Sequence, residues 1–286
     1  MKKNIETFIA CDAEYEDAKV VIFGAPFDST TSYRPGARFG SAAIRHESYG
    51  LETYSPYLNC DLEDLDVYDA GDLELPMGSA EMALDAISAC TSEILNAGKI
   101  PFMLGGEHLV TLGTVREVAK KYPDLHIIHF DAHADLRDDY LGVKLSHACV
   151  LRRCHDILGD GRIHQFGIRS GERAEFGFAR AGHTDLHPFS LEGLDSVADD
   201  LASSRVPVYF TIDLDVLDPS VFPGTGTPEA GGVSFDQLRK ALTKVCQTVN
   251  VVALDVTELA PILDPSGVST AVAGKVVREL LLAINQ

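Results

Sequence analysis

Short apolar runs and longer amphipathic segments alternate along most of the chain. Runs such as residues 100–104 and 125–130 have the length and composition of buried strands. The segment 79–96 has the apolar periodicity of a helix, with Ser79 as its N-cap and Gly98 just beyond its end. The predicted strands are residues 19–24, 64–68, 100–104, 125–130, 162–168, 206–212 and 251–254, and the predicted helices are residues 41–49, 79–96, 109–121, 191–203, 234–247 and 269–284.

This alternation predicts an α/β protein with a mainly parallel central sheet and helices on both faces. In such sheets, ligands bind beyond the carboxyl ends of the strands. The sequence has 286 residues, of which 45% are apolar, and it contains no linker, repeat or low-complexity segment. We therefore expect residues 1–286 to form one domain.

The formal net charge of −19 makes the chain strongly acidic. Nucleic-acid binding needs clustered Lys and Arg, so the charge argues against a nucleic-acid partner and favours cations. The six cysteines form no Cys-x-x-Cys pair, which leaves a thiolate zinc site unsupported. No apolar run reaches the length of a membrane span, so we expect no membrane association and a cytoplasmic protein.

Carboxylates and histidines follow directly after several of the predicted strands. Asp131, His133 and Asp135 come after the run 125–130 with a spacing of two residues. In extended backbone, alternate side chains point to the same side, so we expect these three to converge. Buried carboxylates without a counter-ion are costly, and a divalent metal would neutralise them.

Two other strand ends carry the same kinds of side chain. Asp213 and Asp215 end the run 206–212, and His108 follows the strand 100–104. Taken singly, His108 is also compatible with a helix cap, Asp135 with a turn, and Asp213 with an arginine partner. Taken together, the three strand ends predict a two-metal site. Asp218 precedes a proline and is better interpreted as a turn residue than as a further ligand.

The predicted ligand set combines four carboxylates with two imidazoles and no thiolate. Four carboxylates carry a charge of about −4, which balances two divalent ions. Mixed oxygen and nitrogen ligands favour two Mn²⁺ ions over Zn²⁺, Fe²⁺, Co²⁺ or Ni²⁺. Two such ions roughly 3.5–4 Å apart activate a water molecule as a nucleophile.

The motifs also resemble a known family, the ureohydrolases, which include arginase and agmatinase. The matching segments span nearly the whole chain: 24–28 (GAPFD), 33–40 (YRPGARFG), 105–108 (GGEH), 131–135 (DAHAD), 213–219 (DLDVLDP) and 254–261 (LDVTELAP). The resemblance implies a three-layer α/β/α arginase-like fold, a binuclear manganese centre and hydrolysis of a guanidino group to release urea. It also implies a homo-oligomer, either a trimer or a hexamer.

The resemblance assigns further roles to individual residues. Glu258 matches the residue that holds the substrate guanidinium, a planar cation that pairs bidentately with a carboxylate. A salt bridge to an arginine is its alternative role. His147 matches the proton shuttle, and an ordinary histidine pKa suits proton transfer to the departing amine. Asp135, or a neighbouring ligand carboxylate, is expected to relay a proton.

The loop after the DAHAD motif bears on the substrate. Residues 136–141 (LRDDYL) lack the Asn- and Ser/Thr-rich loop with which arginases bind the amino-acid head of arginine. The resemblance is closer to bacterial agmatinases, which implies agmatine as the cationic guanidino substrate and putrescine as the product. Asp138 and Asp139 are candidates for attracting the ammonium group of agmatine, although both are also compatible with solvated loop charges.

Other activities remain open at this point. Arg137 leaves room for a carboxylate-ended substrate such as 4-guanidinobutyrate, and formiminoglutamase and arginase are further possibilities within the family. A non-catalytic regulatory relative is the alternative outside the enzyme class. Such a protein normally loses metal ligands, whereas this chain keeps all six.

Overall fold

The computed structural model describes residues 6–285. In chain order, the strands in this part of the chain are β1 (Val20–Ala25), β2 (Tyr54–Ser55), β3 (Cys60–Asp61), β4 (Val67–Asp72), β5 (Ile100–Gly105), β6 (His126–Phe130), β7 (Ile163–Ile168), β8 (Asp185–Pro188), β9 (Pro207–Asp213) and β10 (Asn250–Thr257). The α-helices are α1 (Gly40–Ser48), α2 (Ala80–Asn96), α3 (Thr111–Lys121), α4 (Val150–Leu158), α5 (Arg173–Arg180), α6 (Leu194–Ser204), α7 (Phe235–Thr248) and α8 (Val268–Ile284).

Eight strands form one parallel sheet in the order β4-β1-β5-β10-β9-β6-β7-β8. The short strands β2 and β3 pair with each other in a separate antiparallel ribbon. The prediction of a mainly parallel central sheet is confirmed. Among the residues described, no helix is long and apolar enough to cross a membrane.

Helices cover both faces of the sheet, because the central strands are apolar on both sides. In β1, Val20 and Ile22 join the core beneath α1, α6, α7 and α8, whereas Val21 and Phe23 join the core beneath α2, α3, α4 and α5. Each fully buried aliphatic or aromatic side chain contributes about 1.5–3 kcal/mol to stability. Two apolar cores on either side of one sheet confirm the predicted three-layer α/β/α architecture.

The sequence analysis assigned no structure to α4, α5 or β8. Strand β8 lies at the edge of the sheet, pairs only with β7 and is mostly polar, so it lacks the signature of a buried strand. The other edge strand was predicted at residues 64–68 but runs over Val67–Asp72. Its polar Asp69 and Asp72 pair with Arg45 of α1, which explains why an acidic stretch forms a strand there.

Candidate metal centre

The predicted site residues lie at the carboxyl ends of four neighbouring strands in the middle of the sheet. Asp131 follows β6 directly, and Asp213 is the last residue of β9. Glu258 follows β10 directly, and His108 comes three residues after β5. Because β5, β10, β9 and β6 are adjacent and parallel, these four strand ends meet at one edge.

His108 is the centre of a first cluster of carboxylates. Its Nδ1 atom lies 3.1 Å from Oδ2 of Asp131, 3.2 Å from Oδ2 of Asp135 and 3.4 Å from Oδ2 of Asp213. All four residues are buried. One imidazole nitrogen and three carboxylate oxygens therefore face a common point.

His133 forms a second cluster with the remaining predicted ligand. Its Nδ1 atom lies 3.0 Å from Oδ2 of Asp215 and 3.5 Å from Oδ1 of Asp131. Asp131 thus contributes Oδ2 to the first cluster and Oδ1 to the second. The structure brings all six predicted ligands together in two groups that share Asp131.

The backbone of residues 131–135 is not the continuous extended strand that the sequence predicted. Strand β6 ends at Phe130, and Asp135 adopts a left-handed conformation with φ of 52°. Its carbonyl oxygen accepts hydrogen bonds from the N–H groups of Leu151 and Arg152 at the start of α4. The three side chains converge as expected, but the extended backbone from which this was predicted does not continue through Asp135.

The charges of the two clusters fit a pair of divalent cations. Among the described residues, no Lys or Arg forms an ion pair with the carboxylates of Asp131, Asp135, Asp213 or Asp215. Burial and the charge of Asp131 raise the pKa of Asp135 to about 7. Burial and the charge of Asp215 likewise raise the pKa of Asp213. Against the effect of burial, the carboxylates raise the pKa of His108 and raise the pKa of His133 to about 12, which shows how strongly this cluster favours a positive charge. Divalent cations would take over that role when they bind.

A hydrogen-bond chain orients His108 as a metal ligand. The Thr211 hydroxyl donates to Oδ1 of Asp255 at 2.6 Å, so its oxygen is left to accept from Nε2–H of His108 at 2.9 Å. A neutral His108 would therefore keep its proton on Nε2 and turn the lone pair of Nδ1 towards the cluster, which is the tautomer that binds a metal. The sequence analysis gave Thr211 and Asp255 no role, since nothing in their spacing points to His108.

His129 orients the shared ligand Asp131 in a similar way. The side-chain amide of Gln165 donates to Nδ1 of His129 at 3.1 Å, so the proton of His129 lies on Nε2, which is 2.8 Å from Oδ2 of Asp131. Burial lowers the pKa of His129, which favours this neutral form. The two-residue spacing between His129 and Asp131 is a signal that the sequence analysis did not use.

Glu258 is a buried carboxylate beside the metal-ligand clusters. It has a left-handed backbone, with φ of 66°, and its Oε1 atom accepts the backbone N–H of His108 at 2.8 Å. Among the described residues, the only basic side chain within 4.0 Å of its carboxylate is that of His147, whose Nδ1 lies 3.9 Å away. Burial and the charge of Glu107 raise the pKa of Glu258. Its expected alternative, a salt bridge to an arginine, is not formed.

His147 lies at the same edge and is held by the loop after β1. Its Nε2 atom accepts the backbone N–H of Ser32 at 3.2 Å, and its own backbone N–H donates to the hydroxyl of Thr30 at 3.0 Å. Burial and the charges of His133 and His108 lower the pKa of His147 to about 4. The expectation of an ordinary pKa is therefore wrong, and a pKa of about 4 leaves the imidazole neutral near pH 7.

Glu107 holds this loop in place through hydrogen bonds, and the sequence analysis did not identify it as a site residue. It is fully buried and accepts three hydrogen bonds: from the N–H and the hydroxyl of Thr30, and from the hydroxyl of Thr31. Burial raises the pKa of Glu107 to about 7 despite these hydrogen bonds. The only sequence signal was a charged residue within an otherwise apolar and glycine-rich strand end.

A cleft of about 270 Å³ opens onto the second cluster. It is lined by His133, Asp135, His147 and, towards the outside, Arg137 and Glu172. This volume suits a small molecule.

The two loop acids proposed to bind substrate are not among the residues that line this cleft. The carboxylate of Asp138 pairs with Nη2 of Arg153 at 2.9 Å, and that of Asp139 accepts the N–H of Gly142. The two glutamates that do line the cleft, Glu172 and the buried Glu175, were not singled out in the sequence.

Similarities to known proteins agree with this site. A sequence profile of the arginase family matches residues 18–283. The agmatinases of Bacillus cereus and Bacillus subtilis are 48% and 46% identical to this chain over 279 residues, which is 97% of this chain and 96% of each relative. A crystal structure of a candidate agmatinase from Clostridium difficile is 49% identical, with a TM-score of 0.92 over 95% of this chain and 98% of that one.

These matches cover nearly the whole chain and confirm the resemblance to the ureohydrolases, enzymes that cleave C–N bonds of amidines. The parallel sheet, the three ligand-bearing strand ends and the extent of the similarity lead to one conclusion: this chain belongs to the arginase family.

Proposed function

We propose that the protein hydrolyses agmatine to putrescine and urea at a centre of two Mn²⁺ ions. The observation that carries this proposal is Glu258, a buried carboxylate next to the six clustered ligands with no Lys or Arg partner in the described chain. A substrate guanidinium supplies the missing positive charge. The high identity to agmatinases from two Bacillus species supports agmatine among the guanidino compounds.

The proposed metal ligands are those predicted from the sequence: His108, Asp131, His133, Asp135, Asp213 and Asp215. Two divalent ions match the charge of the four carboxylates and, when bound, supply Lewis acidity and lower the pKa of water towards neutrality. Manganese is proposed because the ligands are oxygens and imidazoles without a thiolate.

The chain itself positions the substrate and moves protons. Glu258 holds the guanidinium in one plane through two parallel N–H···O hydrogen bonds. Asp135, which lines the cleft beside the second cluster, relays a proton from the attacking water. His147 delivers a proton to the nitrogen of the departing amine, and its lowered pKa of about 4 makes the protonated imidazole a ready proton donor.

The distal ammonium of agmatine is proposed to interact with acidic groups at the outer cleft. Glu172 lines the cleft, although its Oε1 lies 2.6 Å from Nη1 of Arg137. Asp138 and Asp139 remain the candidates proposed from the sequence. Because Arg137 is paired with Glu172, it is less suited to bind the carboxylate of 4-guanidinobutyrate, the main alternative substrate.

Urea release by metal-depleted protein and by protein reloaded with Mn²⁺ tests the proposal. Agmatine, arginine and 4-guanidinobutyrate should be compared at equal concentration. We expect Mn²⁺-dependent urea release with the highest kcat/KM for agmatine. A preference for arginine or for 4-guanidinobutyrate would refute agmatine as the substrate, and a lack of divalent-metal uptake would favour the regulatory alternative.

Three variants locate the group that recognises the ammonium. Glu172→Gln is expected to raise the KM for agmatine with little change in kcat, since the ammonium is remote from the reacting carbon. Asp138→Asn and Asp139→Asn test the two loop acids in the same assay. The variant with the largest rise in KM identifies the residue.

Three further expectations remain proposals. The protein is proposed to be cytoplasmic, to assemble as a homotrimer or homohexamer, and to consist of one ureohydrolase domain over residues 1–286. Sedimentation analysis of the purified protein tests the assembly.

A further inference from the structure

A second cluster of metal-ligand side chains lies outside the metal centre. Nε2 of His155 and Nδ1 of His183 each lie 2.7 Å from the same carboxylate oxygen, Oδ1 of Asp160. The three ligand atoms lie within 4.8 Å of one another. None of these residues belongs to the site described above.

Regular structure and packing hold the three side chains in place. His155 lies in α4, Asp160 follows the end of that helix, and His183 follows α5. The backbone N–H of Gly161 donates to the carbonyl of His183 at 3.2 Å and ties the two loops together. The ring of Phe178 stacks on His183 and meets His155 edge-on, with centroid distances of 4.2 and 4.8 Å. Both imidazoles are therefore oriented before any ligand arrives.

We propose that His155, Asp160 and His183 form a peripheral site for a divalent transition-metal ion of the Zn²⁺ class. Two imidazoles and one carboxylate are a common three-residue ligand set for such ions, with water completing the tetrahedron. The absence of further carboxylates in the cluster disfavours Ca²⁺ and Mg²⁺, which require more oxygen ligands. The site does not rest on the proposed function, because it shares no residue with the metal centre or the cleft.

Only small movements convert the present hydrogen bonds into metal–ligand bonds. Two ligands, each about 2.1 Å from a tetrahedral metal, are about 3.4 Å apart, so each imidazole nitrogen must retreat from Asp160 by about 0.7 Å. The carboxylate of Asp160 is 64% exposed and the ring of His183 is 36% exposed, which leaves both free to adjust.

The protonation states also permit metal binding. A neutral imidazole turns a lone pair towards the metal when its proton moves to the other ring nitrogen. Within the described chain, Nδ1 of His155 is buried without a hydrogen-bond partner, so the proton that moves there stays unpaired and the metal–nitrogen bond must exceed this cost. Arg152, which packs on Phe178, adds an opposing positive charge, but its Nε lies 3.8 Å from the carboxylate of Asp156. The net charge of −19 favours cation binding overall.

Zinc stoichiometry tests the site independently of turnover. The full-length protein and its variants are dialysed against the same buffered Zn²⁺ solution, and bound zinc per chain is measured by mass spectrometry. We expect His183→Gln and Asp160→Asn to bind one zinc ion fewer than the wild type, because both keep the same metal centre. His46→Gln is the matched control: His46 is exposed and contacts a single carboxylate, that of Glu6.

His155→Gln is a third variant, but its ring packs against Phe178, so its folding must be checked by thermal denaturation. His183→Gln changes a more exposed side chain and keeps the test valid if His155→Gln fails to fold. Equal zinc stoichiometry in the wild type and in His183→Gln would overturn the proposal. An equal loss in His46→Gln would also overturn it, because the loss would then reflect non-specific binding by surface histidines.

Discussion

The carboxylate of Glu107 holds both the backbone N–H and the hydroxyl of Thr30, at 2.9 and 2.5 Å, across 77 residues of sequence. The Thr30 hydroxyl oxygen in turn accepts the backbone N–H of His147. A buried acid next to a predicted metal ligand thus sets the position of the proposed proton shuttle without contacting the substrate cleft. Glu107 and Thr30 therefore position the proposed proton shuttle, whereas His108 and the carboxylates around it are the proposed metal ligands.

Glu107→Gln is expected to lower kcat by about tenfold to a hundredfold, since small displacements of a catalytic group have effects of this size. The variant replaces one acceptor of Thr30 with a donor but keeps the side-chain volume. Metal content and the KM for agmatine should stay near wild type. A loss of bound Mn²⁺ in parallel with kcat would assign Glu107 to the metal centre instead.

Asp213→Asn should remove metal affinity, because Asp213 joins Asp131 and Asp135 around His108. Even an outer-sphere partner of a metal ligand is worth about 10- to 100-fold in affinity, so the loss should reach at least about 100-fold. Bound Mn²⁺ and urea release are measured together. Asp218→Asn is the matched control in the same segment, because the Asp218 carboxylate accepts hydrogen bonds from Ser220 and Gly231 and is not one of the carboxylates around His108. Full metal content and turnover in Asp213→Asn would contradict the ligand assignment.

His147→Asn should lower kcat by about 100-fold or more, the usual size of a general acid–base contribution. Glu258 and the metal ligands are unchanged, so the KM for agmatine and the Mn²⁺ content should change little. Steady-state kinetics with metal analysis provides the check. Unchanged kcat would exclude His147 from proton transfer.

Gly106→Ala is expected to destabilise the protein by about 3 kcal/mol or more and to abolish activity, because overpacking against backbone has no easy relief. A Cβ atom at Gly106 would lie 2.0 Å from the carbonyl oxygen of Phe27, within the segment that presents Glu107 and His108. Gly177→Ala is the matched control.

Gly177 lies in α5, where an added Cβ meets nothing within 4 Å. Alanine there should be neutral or stabilise the protein by up to about 1 kcal/mol, from helix propensity alone. Urea denaturation measures both variants. If Gly106→Ala were as stable as the wild type, the contact between Gly106 and Phe27 would be able to widen with no loss of folding free energy.

His126 should make the protein less stable in mild acid. Burial, together with His164 and Arg162, lowers the pKa of His126 from its usual 6.5 to about 4. The unfolded chain therefore binds a proton before the folded chain does. This contribution to stability is fully present above pH 6.5 and is lost as the pH falls towards 4.

Thermal denaturation of the wild type and of His126→Gln between these pH values isolates the effect, since every other titrating group is common to both. The melting temperature of the wild type should fall more steeply than that of the variant. Parallel profiles would show that His126 keeps its usual pKa in the folded protein.

Sequence patterns predicted the layers and the six clustered residues for a definite physical reason. Apolar runs that end in Asp or His combine two independent signals, burial and charge, as at Asp131 and Asp213. The parts that escaped prediction lack such a coincidence. Thr211 and Asp255 are polar residues inside apolar strands, and only the register between β9 and β10 shows that they contact each other and His108.

Backbone conformation was the other source of error. Asp135 has a left-handed backbone, and its carbonyl accepts hydrogen bonds from α4, a helix that the sequence analysis did not assign. The partnership of Glu107 with Thr30 likewise depends on β1 and β5 being neighbours in the sheet. Contacts of this kind are set by tertiary structure and leave no local trace in composition or periodicity.

Asp131 offers one oxygen to each half of the proposed binuclear centre, and both oxygens are already oriented, Oδ2 by His129 and Oδ1 by the backbone N–H of His133. If two ions bind as proposed, neither half would be complete without this one carboxylate. A substitution of Asp131 should therefore weaken both halves at once, whereas a change at Asp135 or Asp215 should weaken mainly one.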